Sequence, residues 1–295
     1  MKFRLTLFSI LLIFKFVNGQ ISEGYHIKQL TNHPHIDSNP QWSPDGKNIS
    51  FDSDINHGKQ VYVLNPDSNT ISPLPIDSLT IDFAVWGPGG DFLVATMHDG
   101  PNKQLVKYSL QSNDYLKLIN RKIQSSEASF NPSAKIVAFI GKTETDQNWR
   151  LFTYDIKYDN LNNFTQPSSD CHFPRWSPKG DYISYTTSKS DGSKKRFIQI
   201  INWYGANFQQ ITDSVLDIHD ASWSPVRSKI AFVGTSADSS YLIVSHKDGT
   251  NREIVFRSEL LLNAPCWSPD GKSILFTMRI DEQQQNIFQL ISDWD

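Results

Sequence analysis

The side chains best suited to chemistry are six polar residues, each four positions before an aromatic residue of a repeated motif. They are Ser38, Asp82, Ser126, His172, His219 and Asn263. Two histidines and a carboxylate at equivalent positions could bind an anion or a metal ion together. Histidine changes its charge near neutral pH, so such a site would be pH-sensitive. The alternative interpretation is that water fills the space these residues face and that they are polar for that reason alone.

Sequence motifs for covalent catalysis and phosphate binding are not complete anywhere in the chain. A nucleophile elbow requires Gly-x-Ser-x-Gly, and the nearest match, residues 234–238, lacks the second glycine. Gly141-Lys-Thr143 matches the end of a phosphate-binding loop, but Ile136 stands where the loop needs its first glycine. No catalytic residue is predicted, and the protein is expected not to be an enzyme.

Candidate metal ligands are few and poorly spaced. His33-Pro-His35 is the most metal-like pair, but no cysteine or carboxylate follows it at a zinc-binding spacing. Asp52 and Asp54 are expected to form the polar end of a strand. Cys171 and Cys266 fall in repeats that are not neighbours, so they are too far apart for a disulfide and are expected to be buried free thiols. No metal and no cofactor are predicted.

The composition limits the kind of protein. The chain has 295 residues, of which 38% are hydrophobic, and 28 Lys and Arg face 31 Asp and Glu for a formal net charge of −3. This is enough hydrophobic chain for a large core, and it excludes intrinsic disorder. A near-neutral chain without a basic block argues against nucleic acid as the main partner.

The first residues have the pattern of an export signal. Lys2 and Arg4 precede an apolar run over residues 5–14, which is too short to span a bilayer. A small residue, Gly19, then marks a cleavage site. We predict a signal peptide over residues 1–19, one domain over residues 20–295 with no membrane span, and a periplasmic or secreted location.

A six-fold internal repeat determines the predicted fold. The repeated aromatic residues follow one another at spacings of 44, 44, 46, 47 and 44 residues. A period in the forties is typical of a β-propeller. The six aromatic residues, expected to fill the wedges between neighbouring sheets, are Trp42, Trp86, Phe130, Trp176, Trp223 and Trp267.

Each repeat contains four short β patterns bounded by turn-forming residues. The last repeat has only three before the chain ends at Asp295, and residues 25–31 resemble the fourth pattern of another repeat, residues 208–212. The sequence therefore predicts an all-β, six-bladed propeller of four-stranded antiparallel blades. In this prediction residues 25–31 complete the last blade and close the ring.

The repeat motif resembles a known one. Trp42-Ser-Pro-Asp-Gly46, with a proline two residues before the tryptophan and Lys-x-Ile-x-Phe after it, is similar to the WD40-like repeat of the TolB propeller family. Related repeats occur in the propellers of prolyl oligopeptidases, dipeptidyl peptidase IV and tricorn protease. The resemblance implies the architecture and a location in the cell envelope or outside the cell. It implies neither a protease activity nor a particular partner, since residues 20–295 are expected to form the propeller alone, without the additional α/β domains of those proteins.

The function expected from these observations is non-catalytic binding of a protein or peptide partner in the cell envelope or outside the cell, by a monomer. Binding sites usually lie on loops held by a rigid scaffold. The longer loops are expected on the face where the polar ring opens, and Trp149 and Arg150 are candidate anchors there, unless Trp149 only begins a strand and packs. The alternative is an enzyme, such as a carbohydrate-active lyase or hydrolase, or a small-ligand sensor using the axial pocket.

Overall fold

A computed structural model describes residues 19–56, 58–76, 80–119, 121–165, 170–188, 195–206, 208–213 and 215–293. Nearly all of the predicted signal peptide, His57 and the lysine at position 194 lie outside these residues. Within them the regular structure consists of strands, with no helix.

The strands follow one another with short connections. In chain order they are β1 (Gln20–Ile21), β2 (Tyr25–Gln29), β3 (Ser38–Trp42), β4 (Ile49–Ser53), β5 (Gln60–Asn65), β6 (Thr70–Pro73), β7 (Thr80–Trp86), β8 (Phe92–Asp99), β9 (Asn102–Ser109), β10 (Tyr115–Lys117), β11 (Gln124–Phe130), β12 (Ile136–Lys142), β13 (Arg150–Asp155), β14 (Asn160–Asn163), β15 (Cys171–Trp176), β16 (Tyr182–Ser188), β17 (Arg196–Asn202), β18 (Gln209–Gln210), β19 (Asp217–Trp223), β20 (Lys229–Thr235), β21 (Ser240–His246), β22 (Glu253–Ser258), β23 (Leu262–Trp267), β24 (Ser273–Arg279) and β25 (Gln285–Ser292).

These strands form six antiparallel sheets, the blades of a propeller, as predicted. From the innermost strand outward they are blade 1 (β3-β4-β5-β6), blade 2 (β7-β8-β9-β10), blade 3 (β11-β12-β13-β14), blade 4 (β15-β16-β17-β18), blade 5 (β19-β20-β21-β22-β1) and blade 6 (β23-β24-β25-β2).

The Ser-Pro-Asp-Gly motif forms the tight turn between the first two strands of a blade. In blade 1 the amide of Gly46, at φ 71°, donates to the Ser43 carbonyl at 2.9 Å. The Ser43 hydroxyl donates to Asp45 Oδ1 at 2.6 Å. Blade 6 repeats the hydroxyl–carboxylate bond between Ser268 and Asp270 at 2.6 Å. Glycine serves here because a side chain at positive φ is strained.

Apolar clusters lie between neighbouring blades, one at each of the six seams of the described structure. Each repeated aromatic residue packs into the cluster that its own blade shares with the preceding one. Trp176 is buried, and the other five are half-buried. At the seam of blades 2 and 3 the rings of Phe92 and Phe130 meet edge to face, with centroids 5.3 Å apart. The core is thus divided among the seams, where large side chains fill the widening space between sheets.

The N-terminal and C-terminal parts of the propeller meet within blade 6. β2 pairs with β25 in antiparallel register, from Tyr25 opposite Ser292 to Gln29 opposite Phe288. Thr31 Oγ1 then accepts a hydrogen bond from the Ile287 amide at 2.9 Å. In blade 4, Thr212 Oγ1 accepts from the Ile198 amide at the same distance, so residues 25–31 and 208–212 have equivalent bonds.

Blade 5 has one strand more than predicted. β1 pairs with β22, with Gln20 opposite Arg257 and Ile21 opposite Phe256. Two residues are too few to give a periodic pattern, so the sequence carries no strand signal there. The added strand covers the edge that β22 would otherwise leave unpaired.

Candidate binding site at the channel mouth

A β-bulge near the start of each innermost strand shapes the channel. The register of every innermost strand shifts by one residue against its neighbour, two or three positions before the aromatic residue in five blades and three or four positions before it in blade 5. In five blades the third residue before the aromatic has a φ of 51–52°, and these are Asn39, Phe83, Glu127, Phe173 and Ala264. A bulge re-aims side chains, and non-glycine residues at positive φ are costly and cluster at functional sites.

A cavity of about 330 Å³ opens at the channel mouth. Three of the six predicted polar residues line it, namely Ser38, His219 and Asn263. Two cations, Lys59 and Arg196, line it from the ends of the longer loops. The mouth therefore lies on the longer-loop face, and residues from several blades meet there.

The residues at the bulges line the same cavity and were not predicted to do so. They are Asn39, Phe83, Phe173, Asp220 and Ala264. A bulge makes two successive residues face the same side of a strand, so the residue after each predicted position also reaches the channel. Most of these positions are polar or aromatic, although each directly follows a predicted channel residue. In a regular strand, where side chains alternate between the two faces, they would point away from the channel.

Two phenyl rings narrow the channel below the cavity. Phe83 and Phe173, from blades 2 and 4, have ring centroids 6.3 Å apart. Beneath them, a space of only about 10 Å³ is lined by Gln41, Glu127 and Arg175, among others. That volume is about enough for one water molecule. The mouth is thus a cup with an aromatic floor.

A buried carboxylate supports the cup between blades 1 and 2. Asp52 is fully buried, and its Oδ2 accepts from Asn39 Nδ2 at 2.6 Å and from the Phe83 amide at 3.1 Å. Burial raises the pKa of Asp52 to about 7, although Lys59, with its Nζ 3.9 Å away, lowers it. Asp52 lies near the end of β4, as expected, but its burial was not predicted and follows from its position opposite Ser38 across the hairpin.

The predicted residue Asp82 belongs to the same cluster. Its Oδ2 lies 3.4 Å from Lys59 Nζ, and its Oδ1 lies 2.9 Å from His98 Nε2. Lys59 also lies over the Phe83 ring, 5.2 Å from its centroid. The ammonium group thus joins the aromatic floor to two carboxylates, and its half-exposed position leaves it accessible from the mouth.

His172 and Ser126 lie on the other side of the channel and make internal contacts. His172 Nδ1 is 3.5 Å from Glu127 Oε1, and its Nε2 is 3.4 Å from Asp170 Oδ2. Burial by itself would lower the pKa of His172, but Asp170 and Glu127 raise it to about 9, so the ring is charged at neutral pH. Ser126 is buried, with its Oγ 3.1 Å from Thr96 Oγ1 in blade 2.

A second buried ion pair lies between blades 4 and 5. Asp220 Oδ2 is 3.4 Å from Arg175 Nη2, and burial raises the pKa of Asp220 to about 6 against the effect of Arg175. Beside it, His219 Nε2 is 2.9 Å from Thr235 Oγ1. Burial lowers the pKa of His219 against the opposite effect of Asp217, and the Arg196 cation adds to the lowering. At neutral pH the imidazole of His219, which lines the mouth cavity, is therefore neutral, whereas that of His172, which does not line it, is charged.

Trp149 and Arg150 are held within blade 3 and its neighbour. Arg150 Nη2 pairs with Asp146 Oδ1 at 2.8 Å, and its side chain is only 15% exposed. Trp149 is half-buried against the cluster between blades 3 and 4, and Lys103 Nζ lies 5.7 Å from its ring. Neither residue lines the mouth cavity.

The histidines of the predicted metal-like pair contact separate carboxylates. His33 Nε2 lies 3.4 Å from Asp37 Oδ2, and His35 Nδ1 lies 3.4 Å from Asp54 Oδ1. Among the described residues, no group of three or more His, Cys, Asp or Glu side chains could hold a metal ion. Cys171 and Cys266 are buried free thiols, as predicted.

A six-bladed propeller whose axial mouth is a polar cup is the class of protein that these features define. A family model described as the TolB beta propeller domain matches residues 20–180, more than half of the chain. The chain belongs to this family.

A curated relative and two solved structures give the range of similarity. The Tol-Pal system protein TolB of Francisella tularensis subsp. mediasiatica (strain FSC147) is 22% identical over 203 residues, which are 68% of this chain and 46% of the relative. The chain thus matches about half the length of that protein. A structure of an Agrobacterium tumefaciens protein assigned to TolB has 18% identity and a TM-score of 0.72, covering 91% of this chain and 97% of the other.

An oligogalacturonate lyase, solved in complex with manganese, has the same fold. It is 14% identical, with a TM-score of 0.64, and the match covers 94% of this chain and 96% of the lyase. Structures this distant show the fold alone. A helix long and apolar enough to cross a membrane is not found in the described part of this chain.

Proposed function

We propose that this protein is a non-catalytic binding propeller that docks a protein or peptide partner at its channel mouth. The observation that carries the proposal is the cup itself, in which side chains from several blades and two loop cations line one cavity above an aromatic floor. Such a cup combines hydrogen-bonding groups, charge and aromatic surface, the features that concentrate binding energy at interfaces. The family membership supports a binding function.

The charges at the mouth favour a partner segment that carries a carboxylate. Lys59 and Arg196 line the cavity, and the carboxylates of Asp52 and Asp220 are buried. Lys59 contacts Asp52 and Asp82 but is half-exposed, and Arg196 forms no salt bridge with a carboxylate of the described residues. A side chain or chain end that is anionic would meet the two cations first. The neutral amides of Asn39 and Asn263 would then supply hydrogen bonds to a peptide backbone.

Site-specific photo-crosslinking tests the proposal. A photoreactive phenylalanine analogue replaces Asn263 at the mouth or, as the control, Lys135 on the exposed hairpin face. We expect a cross-linked partner from the mouth position, competed by unlabelled protein and lost in Lys59→Glu/Arg196→Glu. Cross-links that form equally from position 135, or that persist in the double variant, would contradict the proposal.

We also propose that the chain is exported and that residues 1–19 are removed. The leader pattern supports this, as does the start of β1 at Gln20, directly after the predicted cleavage site. N-terminal sequencing of the protein recovered from the envelope or medium tests it. A mature chain that begins at Gln20 is expected, and a chain that keeps Met1 in the cytoplasm would contradict it.

A second candidate function is small-ligand binding or catalysis in the same cup. Its volume, about 330 Å³, lies at the lower end of the ~300–1,000 Å³ found for ligand pockets, and an oligogalacturonate lyase shares the fold. A thermal-shift screen with sugars, acidic oligosaccharides, divalent metals and peptides separates the candidates. Stabilisation by a sugar or metal that His219→Ala abolishes would favour the second one.

A further inference from the structure

The turns between the first two strands of each blade lie on the face of the propeller opposite the channel mouth. Neighbouring turns contact one another around the ring. A Cβ added to Gly90 would lie 3.7 Å from Pro44 Cδ, one on Gly180 would lie 3.2 Å from Pro132 Cδ, and one on Gly46 would lie 3.9 Å from Pro269 Cδ. Each of these glycines ends the turn of one blade and lies beside the turn proline of the preceding blade. Neighbouring turns thus lie at van der Waals distance, and among these three only at Gly180 is the space tight enough that an added Cβ would shift its neighbour slightly. In blade 3 this position is Ala134, at φ 57°.

Blade 5 departs from this arrangement. Its turn reads Ser224-Pro-Val-Arg227, so an arginine stands in the position of the glycine. The Arg227 amide donates to Ser224 Oγ at 3.2 Å, whereas in blade 4 the Gly180 amide donates to the Ser177 carbonyl at 2.9 Å. The blade 5 turn therefore lacks the amide-to-carbonyl hydrogen bond of the blade 4 turn, and a space remains between the two turns.

That space is a groove of about 240 Å³ between the turns of blades 4 and 5, referred to below as the blade 4–5 groove. Its apolar surface comes from the rings of Tyr182 and Trp223 and from the exposed side chains of Pro178, Pro225 and Val226. It is separate from the channel mouth, because these turns lie at the other ends of the innermost strands.

The charge on the groove is one-sided. Lys179, Arg227 and Lys247 line it, against a single carboxylate, Asp181. All three cations are exposed, and none forms a salt bridge with a carboxylate of the described chain. Lys247 Nζ lies over the Tyr182 ring, 5.1 Å from its centroid. A concentration of unpaired cations on a chain of net charge −3 is unlike the average surface of this protein.

An exposed aromatic pair lies next to the groove. The amide of Trp203 donates to the carbonyl of Asp181 at 3.2 Å, which fixes the following turn beside the groove. The rings of Trp203 and Tyr204 meet edge to face at 5.7 Å and are 46% and 64% exposed. Large aromatic side chains in contact with water are typical of interaction surfaces.

We propose that the blade 4–5 groove binds an extended acidic peptide segment, with a proline or aliphatic residue between its acidic side chains. The three cations pair with the carboxylates of the segment, and the apolar residue packs on Tyr182 and Trp223. Trp203 and Tyr204 extend the contact beyond the groove. The volume suits one or two side chains of a segment whose backbone stays at the surface, and charge complementarity selects the acidic flanks.

Fluorescence anisotropy with a defined probe tests this. The probe is a fluorescein-labelled peptide of sequence Gly-Asp-Glu-Leu-Pro-Glu-Asp-Gly, and its control carries Asn and Gln in place of Asp and Glu. We expect the acidic peptide to bind and the amide peptide to bind about tenfold more weakly. Equal binding of the two peptides, or no binding of the acidic one, would overturn the proposal.

Two variants locate the site. Lys179→Glu/Arg227→Glu/Lys247→Glu should weaken binding at least tenfold, whereas Lys117→Glu/Lys122→Glu/Lys135→Glu, three exposed lysines of blades 2 and 3 with the same change of charge, should not. Val226→Asp/Arg227→Gly restores the Ser-Pro-Asp-Gly turn, and it should close the groove and weaken binding without lowering the melting temperature. Equal loss in the blade 2 and 3 control, or full binding after the turn is restored, would overturn the proposal.

Two further measurements distinguish peptide binding in the groove from binding at the channel mouth and from self-association. Lys59→Glu/Arg196→Glu at the channel mouth should leave the peptide affinity unchanged, so this test can fail or succeed independently of the proposed function. Sedimentation velocity of the wild-type protein should show a monomer. Self-association that the restored turn abolishes, without peptide binding, would assign the groove to a second copy of the chain and overturn the proposal.

Discussion

The backbone amide of Phe173 donates a hydrogen bond of 2.6 Å to Glu127 Oε2 in the preceding blade. The amide of Phe83 makes the corresponding bond to Asp52 Oδ2 at 3.1 Å. Both phenylalanines have left-handed backbones, at φ 51° and 52°. Carboxylates of one blade thus hold the bulge of the next, and so fix the two rings that form the floor of the mouth.

The left-handed backbone at Phe83 should make a glycine substitution there less costly than an alanine substitution. At φ 52°, Phe83→Gly should be less destabilising than Phe83→Ala by about 1 kcal/mol, because an alanine keeps the backbone strain and a glycine removes it. Urea unfolding of the two variants measures the difference. Phe197, buried in the regular strand β17, is the matched control, and there glycine should be the worse of the two. Glycine worse than alanine at both positions would contradict a left-handed Phe83.

The buried carboxyl of Asp52 should make the fold less stable as the pH rises. Burial raises its pKa from 3.8 to about 7. The unfolded chain therefore releases this proton at lower pH than the folded chain, and stability falls between about pH 4 and pH 7. Asp52→Asn should remove up to about 1.4 kcal/mol per pH unit of that slope. Unfolding free energies at pH 5 and pH 8 measure it.

The matched control for this prediction is Asp45→Asn, in the exposed turn of blade 1. The hydrogen bond from Ser43 is the main cause that lowers the pKa of Asp45, so its contribution is lost only at acidic pH. The variant should keep the wild-type slope between pH 5 and pH 8. An unchanged slope in Asp52→Asn would show that the carboxyl is ionised in the folded protein.

His172 should act in the opposite sense. Burial would lower its pKa, but Asp170 and Glu127 raise it to about 9. A histidine whose pKa is raised by folding stabilises the protein fully below pH 6.5, and the stabilisation is lost as the pH rises through about 9. His172→Gln should therefore cost more stability at pH 6 than at pH 9.5, as measured by thermal or urea unfolding. The exposed His246→Gln should cost nothing at either pH, and an equal cost of His172→Gln at both would contradict a charged ring.

The outer strands of blades 4 and 6 should respond alike to one substitution. Thr31 Oγ1 and Thr212 Oγ1 each accept a hydrogen bond of 2.9 Å from a buried backbone amide. Valine keeps the shape of threonine but leaves that amide without an acceptor, which costs about 1–3 kcal/mol. Thr31→Val and Thr212→Val should lower the unfolding free energy by similar amounts. A cost for Thr212→Val alone would mean that residues 25–31 do not pair in solution as described.

The repeat made the fold predictable, but the site depended on details that the repeat does not show. The spacing of the repeated aromatic residues predicted six blades, and the likeness of residues 25–31 to residues 208–212 pointed to the outer strand of blade 6. The polar ring was predicted at one position per blade, with the alternation of a regular strand. A bulge breaks that alternation, so Asn39 and Asp220 at the next position reach the cavity as well.

The buried carboxylates escaped prediction for another reason. Asp52 belongs to the second strand, and its place at the channel follows only from its register opposite Ser38. A polar residue at the end of a strand is usually exposed, and only tertiary packing makes this one an internal acceptor. The contacts of Arg150 with Asp146 are likewise a matter of loop conformation, which residue type alone does not give.

The pairing of β2 with β25 has a mechanical consequence. Tyr25 lies opposite Ser292, and the pairing runs inward from there to Gln29 opposite Phe288. Once β1 has left β22, tension between the two ends of the propeller would therefore peel these strands apart one bond at a time. Peeling needs far less force than sliding two strands along their length. Force applied to both ends would therefore open the ring of blades between β2 and β25, whereas force applied to the outer edge of a single blade would leave the ring closed.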